Sequence, residues 1–189
     1  MTLVINFLAG SGAKKTTLAM DISAELKWFD GINIEYVGEY VKPMVFEERK
    51  SVFKNQDYIF GKQYYNVQRL IDCGKLDVIV TDSPIILGIL YSRKNKGIDL
   101  TFEQNILNRF NEFNNINYFV QRVKPFQQIG RHQTEQEARA DDIELKDILK
   151  EYNIDYTEIK GEKQSTEIIA NQIKSMVLAQ KQAEAWKEK

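Results

Sequence analysis

Apolar residues alternate along the chain between short unbroken runs and helical stripes. Residues 3–8 form an almost continuous apolar run that stops at Gly10. A strand buried on both faces of a parallel sheet reads this way. Leu18, Ile22, Leu26 and Phe29 then recur at helical spacing, with Asp30-Gly31 as the stop. The same logic predicts strands over 32–37, 76–81, 116–120 and 156–159. It predicts helices over 44–53 and 56–73, the second ended by Gly74. Ser83-Pro84 has the form of an N-cap followed by proline at the first helical position. Thr101 with Gln104, and Thr134 with Glu137, have capping-box spacing ahead of two further helices. Leu145, Ile148, Leu149 and Tyr152 stripe the second of these, and 167–179 closes the chain as a helix. Strands alternating with helices imply a parallel sheet with right-handed crossovers and helices on both faces. In such sheets ligands sit at the carboxyl ends of the strands.

Composition narrows the picture. At 189 residues one domain is expected, over about 1–180, with 181–189 as a polar, frayed tail. Lys and Arg total 26 against 27 Asp and Glu, so bulk charge does not favour duplex nucleic acid. No stretch approaches the roughly 20 apolar residues that cross a bilayer, so no membrane partner is expected. Cys73 is the one cysteine, which excludes an intrachain disulfide and suits a cytoplasmic setting.

The strongest chemical signal follows the first strand, at Gly10, Ser11, Gly12, Ala13, Lys14, Lys15, Thr16 and Thr17. A phosphate loop has Gly, four residues, Gly, Lys, then Ser or Thr, and wraps a polyphosphate at a helix N-terminus. Gly10 is set here as the opening glycine, with Lys15 and Thr16 as the Lys-Thr pair. Lys14 stands where the second glycine belongs. Lys15 would meet the β- and γ-phosphates, Thr16 would bind Mg²⁺, and Thr17 would lie near the α-phosphate. If the loop requires positive φ at Lys14, the side chain adds about 1–2 kcal/mol of strain.

Each later strand end carries a further candidate. Asp82 ends the most apolar strand, where a carboxylate holds Mg²⁺ or orients a nucleophile; helix capping is its alternative. Glu39 follows the second strand and could accept a proton from an attacking hydroxyl, or could be solvated. Tyr40 could stack on a substrate ring or only pack. Phe60 and Gln63 share a helical stripe, with Gln63 either reading a base edge or serving as a buried amide. Residues 122–140 have the form of a lid hinged at Pro125 and Gly130. Arg131 would close on the transferring phosphate and Arg122 would flank the adenine or the phosphates. Arg139 has helix-surface ion-pair spacing to Glu135 and Asp142. His132, beside Arg131, is the one histidine, and an incidental role is expected for it.

Taken together, the phosphate loop, Glu39-Tyr40, Gln56-Asp57-Tyr58, Thr81-Asp82-Ser83-Pro84 and Gly130-Arg131-x-Gln-x-Glu resemble the P-loop kinases. The nearest likeness is to a small phage and bacterial AAA-type ATPase/kinase group. That group is similar to nicotinamide riboside kinases and to deoxynucleoside and nucleoside monophosphate kinases. The likeness covers about 3–159 and departs at Lys14. It implies a three-layer P-loop NTPase sandwich with an α/β fold, a five-stranded parallel sheet of order 2-3-1-4-5, and an arginine-bearing lid. It also implies ATP, Mg²⁺ and transfer of the γ-phosphate to a nucleoside, nucleotide or related hydroxyl. Hydroxymethylated pyrimidines in DNA remain an alternative acceptor, a non-catalytic nucleotide-binding module an alternative role, and a homodimer an alternative assembly.

Overall fold

The structure, a computed structural model, describes residues 2–131 and 133–187. Five parallel strands, β1 (Leu3–Leu8), β2 (Ile34–Val37), β3 (Val78–Thr81), β4 (Asn114–Gln121) and β5 (Thr157–Lys160), lie in the order β2-β3-β1-β4-β5. Among the described residues seven α-helices connect and cover them: α1 (Lys15–Lys27), α2 (Lys42–Phe46), α3 (Gln56–Asp72), α4 (Leu87–Lys96), α5 (Leu100–Asn111), α6 (Glu135–Glu151) and α7 (Lys163–Lys187).

The alternation of side chains along a strand explains the two cores. Leu3, Ile5 and Phe7 of β1 point to one face, where Leu18, Ile22 and Leu26 of α1 and Ile169, Ile173 and Val177 of α7 cover them. Val4 and Leu8 point to the other, against Val67 of α3, Leu90 of α4, Ile106 of α5 and Leu145 of α6. Both faces of β1 are dry, which is why its sequence runs apolar but for one residue. Asn6 is the exception. It is buried and donates to the side-chain oxygens of Asn115 and Asn117 on β4, at 2.8 and 2.9 Å. The amide is thereby satisfied inside the sheet.

Several local expectations shift. The segment 44–53 is not one helix: α2 ends at Phe46, Glu48 takes φ +54, and a 3-10 turn follows over Lys50–Lys54. Ser83 does not cap a helix; 84–88 make successive turns and α4 opens only at Leu87. Helix α5 is capped by Asp99, whose carboxylate accepts from Phe102 N at 3.1 Å, so Thr101 lies inside the first turn. The Thr134–Glu137 box forms as expected. Helix α7 continues through most of the expected polar tail, where Lys181 pairs with Asp77 at 2.9 Å and donates to Gly31 O at 2.6 Å. No helix among the described residues is long and apolar enough to cross a membrane.

Candidate functional site

Parallel packing carries the ends of β1, β2, β3 and β4 to one edge of the sheet, and the chemistry-bearing residues follow those ends. A cleft of about 510 Å³ opens there. Ser11, Gly12, Lys14, Lys15, Thr16 and Thr17 line one side of it. Glu39, Phe60, Gln63, Asp82 and Arg131 line the rest together with α2 and α4 residues. Gly10, Ala13, Tyr40 and Arg122 do not line it, and His132 lies outside the described residues.

The loop between β1 and α1 turns through two left-handed residues and runs directly into the uncapped start of α1. Gly12 takes φ +84, and Lys14 takes φ +74 and ψ +18, in the left-handed region. The strain anticipated at Lys14 is therefore present, since a side chain there costs about 1–2 kcal/mol. Counted back from Lys15, the opening glycine of the pattern falls on Ala9 rather than Gly10, which corrects the register given to Gly10. Ala9 keeps a negative φ and is wholly buried, so it needs no glycine. Gly10 is required for another reason: a Cβ there would lie 2.5 Å from Ala138 O of α6.

Helix α1 begins without a side-chain cap and with no acidic residue in its first turn. Its free N–H groups and positive dipole end face the cleft beside two lysines. The Lys15 ammonium is folded back onto Ala9 O and Gly10 O, at 2.8 and 2.9 Å. Burial lowers its pKa, while Glu39, Asp82 and Asp142 act in the opposite direction.

Asp82, buried at the end of β3, accepts a hydrogen bond from the exposed Thr16 hydroxyl through Oδ2. Its Oδ1 is buried without a hydrogen bond of regular geometry, and the Tyr36 hydroxyl lies beside the same carboxylate; burial, and then that carboxylate, raise the Tyr36 pKa. A hydroxyl beside a buried carboxylate, at the uncapped start of α1, is a donor set that fits Mg²⁺. Among the described residues no cluster of three His, Cys, Asp or Glu could hold a metal on its own. A cation here would need oxygens from a ligand, as Mg²⁺ bound with a nucleotide does.

Glu39 stands across the cleft. Burial raises its pKa, Lys15 lowers it, Asp82 raises it and Lys42 lowers it, with burial dominant. Gln63 holds the loop that presents it: Oε1 accepts from Tyr40 N at 3.0 Å and Nε2 donates to Gly38 O at 3.4 Å. Both ends of the Gln63 amide are thus spent on protein, which favours the buried-amide reading over base recognition. Phe60 lines the cleft and meets Phe102 edge-on. Tyr40 shares a hydroxyl contact of 2.5 Å with Tyr58 and does not line the cleft.

Arg131 sits 5.1 Å above the Phe126 ring, and a Cβ at Gly12 would lie 2.8 Å from that ring and 3.1 Å from Arg131 Nε. The guanidinium therefore reaches the phosphate loop. Arg122 is turned elsewhere: it pairs with Asp142 at 2.5 Å and donates to Ser11 O at 2.6 Å and Ala138 O at 3.0 Å. It supports the loop from behind and does not line the cleft. Arg139 does pair with Glu135, but Asp142 is taken by Arg122.

Sequence reasoning missed Asp142, Phe126, Lys42 and Tyr91. Asp142 Oδ1 accepts from Gly10 N at 2.6 Å across 132 positions, and nothing local announces such a contact. Lys42 donates to Gly130 O at 2.6 Å, and Tyr91 lines the cleft from α4. Gln133, in the run that carried the family likeness, donates to the wholly buried Asp141 at 2.9 Å.

No protein-family model matches the chain, and no curated protein matches it. Solved structures do share its fold. The NadR protein in complex with NR superposes with a TM-score of 0.64 at 13% identity, over 90% of this chain. The chain spans about half of that protein, 51% of its length. Thymidylate kinase from Ehrlichia chaffeensis gives 0.62 at 13% identity, covering 93% of this chain and 98% of that one. Deoxyadenosine kinase from M. mycoides with bound dATP gives 0.56 at 20% identity, covering 92% and 100%. Identities this low speak for the shared fold alone.

Proposed function

We propose that the protein is an ATP- and Mg²⁺-dependent phosphotransferase that moves the γ-phosphate of ATP to a hydroxyl of a nucleoside- or nucleotide-like acceptor. The observation that carries this is the juxtaposition at the sheet edge. An uncapped helix N-terminus with Lys15, the Thr16–Asp82 pair, and Glu39 all open into one cleft. The kinase folds that it shares supply a second, independent support.

In this reading α1's first N–H groups and Lys15 hold the triphosphate; Thr16 and Asp82 would hold Mg²⁺, which would supply charge neutralisation there. Glu39, its pKa raised by burial, accepts the proton of the attacking hydroxyl. Arg131 lies over the same loop and meets the charge that develops on the transferring group. Catalysis is then mainly placement and charge stabilisation.

Calorimetric titration with ATP, with and without Mg²⁺, followed by a radiolabel transfer assay over nucleosides, nucleotides and hydroxymethylated DNA, tests the proposal. Mg²⁺-dependent ATP binding with transfer to a small acceptor is expected. Binding without transfer to any acceptor would make the protein a nucleotide-binding module, and absent ATP binding would end the proposal.

A further inference from the structure

Two side chains hold the loop between β1 and α1 from the face opposite the cleft. Arg122 follows β4 and Asp142 stands on α6; their side chains are 8% and 18% exposed, and neither lines the cleft. Arg122 Nε donates to Asp142 Oδ2 at 2.5 Å. Each partner also reaches loop backbone. Asp142 Oδ1 accepts from Gly10 N at 2.6 Å, and Arg122 Nη1 donates to Ser11 O at 2.6 Å. Nη2 of the same guanidinium donates to Ala138 O at 3.0 Å, which anchors the pair to α6.

These bonds decide which way two peptide groups face. A trans peptide sends its C=O and its N–H to opposite sides, and no peptide among the described residues is cis. In the Ala9–Gly10 peptide the N–H goes to Asp142, behind the loop. Its C=O therefore turns the other way, where Lys15 donates to it at 2.8 Å from the cleft wall. In the Ser11–Gly12 peptide the C=O goes to Arg122, so the Gly12 N–H points away from Arg122, on the side where Gly12 lines the cleft. The loop's own sequence does not fix this facing. A flip of the Ser11–Gly12 peptide changes ψ of Ser11 and φ of Gly12, and glycine takes either sign of φ at little cost. The fixing must come from outside the loop. A buried ion pair contributes little net stability by itself, so its bonds to loop backbone are the better account of its place.

We propose that Arg122 and Asp142 are positioning residues for polyphosphate binding, which keep the Gly12 N–H turned into the cleft and the Ala9–Gly10 peptide turned to Lys15. This rests on the kinase reading above and deepens it, because the facing of the loop's donors is then set by a pair that touches no ligand.

The test is calorimetric titration with Mg²⁺-ATP and with inorganic tripolyphosphate, at a temperature where circular dichroism shows wild type and variants fully folded. A loss of global stability alone does not move this reading. Asp142→Asn separates positioning from charge, because the two predict opposite signs. The new amide can accept from Gly10 N or from Arg122 Nε but not from both, since its other end is a donor. Both ligands should then bind about 10-fold more weakly, the scale of one hydrogen bond to a charged group. Removal of a negative charge behind the loop would by itself tighten the binding of an anion. Arg122→Lys keeps its charge but loses the fork that spans Ser11 O and Asp142, and should weaken both ligands by a similar factor. Should Asp142→Asn not fold, Arg122→Lys carries the test alone. Unchanged or tighter binding in Asp142→Asn, or unchanged binding in Arg122→Lys, overturns the inference and leaves the kinase reading standing. Failure of the wild type to bind ATP ends both.

Discussion

Helices α1 and α6 both follow a strand of the sheet, and both begin beside the cleft, yet their N-termini are built in opposite ways. Helix α6 opens on Thr134, whose hydroxyl accepts from Glu137 N at 3.3 Å while the Glu137 carboxylate accepts from Thr134 N at 2.7 Å. Its first turn also carries Glu135, so the donors and the dipole are answered within the chain. Helix α1 has no cap, no acid in its first turn and a strained lysine at the cap position. One end is closed by its own sequence, and the other has no such closure, as the proposed phosphate site would need. An exposed helix start that spends strain energy and gains no cap is poorly explained by stability alone.

Replacing the carboxylate beside the open end should have the largest effect. Glu39→Gln should lower turnover by about 10²–10⁴-fold, the usual contribution of a general base. In the wild type the rate should fall on the acid side of a pKa higher than the ordinary carboxylate range, because burial raises it. The variant should lose that limb of the pH profile, and an unchanged profile would remove Glu39 from proton transfer. The stability consequence has a definite sign. A raised folded-state pKa means the folded protein binds more protons than the unfolded chain between the two values. Glu39's contribution is then fully present below the unfolded pKa and lost as pH rises through the folded one. At neutral pH Glu39→Gln should therefore melt no lower than wild type.

Lys15→Met comes next. It should cost about 10²–10³-fold in turnover, the scale of a lost charge-stabilising donor. Its melting temperature should hold, because the removed ammonium is one that burial already disfavours. A large drop in melting temperature without loss of ATP affinity would recast Lys15 as a structural brace.

Making the open end resemble the closed one is a sharper comparison. Thr17→Glu puts an acid in α1's first turn at an exposed position. Stability should rise by about 0.3–1 kcal/mol while ATP affinity falls, since the carboxylate competes for the same dipole end. The reciprocal change, Thr134→Ala, should cost about 1 kcal/mol by the loss of a cap. It should reduce ATP affinity far less than Thr17→Glu does. Equal effects on ATP from both variants would erase the distinction between the two helix ends.

Lys14→Gly should produce the smallest change. Relief of about 1–2 kcal/mol of left-handed strain is partly offset by the extra freedom of glycine when unfolded. A net gain below about 1 kcal/mol follows, or a few degrees in melting temperature. ATP binding should tighten or turnover should rise, and no gain in either would count against a steric conflict at Lys14.

Much of the architecture was legible because it is periodic. Strand β1 and the stripes of α1, α3 and α6 have patterns that only a sheet covered on both faces satisfies, and the strand order follows the family likeness. The loop 10–17 could be found from composition, but its register could not. Gly10 drew attention as the first glycine, although Ala9 holds that place and Gly10 serves the close approach of Ala138. Where residues act through long-range contacts the sequence was silent. The Gly10–Asp142 and Arg122–Ser11 bonds join positions more than a hundred residues apart. Gln63 shows the opposite difficulty: its place on an apolar stripe fits base recognition and amide burial equally, and only its bonds to Tyr40 N and Gly38 O separate them.

The arginine-bearing segment is moored at both roots, by Arg122 to Asp142 and by Gln133 to Asp141, two neighbouring carboxylates on α6. Between the moorings it touches the opposite bank through Phe126 at Gly12, Phe46 at Gly130 and Lys42 at Gly130 O. Were a nucleotide to bind as proposed, the span 123–131 would be free to shift only between these two moorings. The contacts surrendered would be those at its tip, while the footing of the phosphate loop would keep its shape.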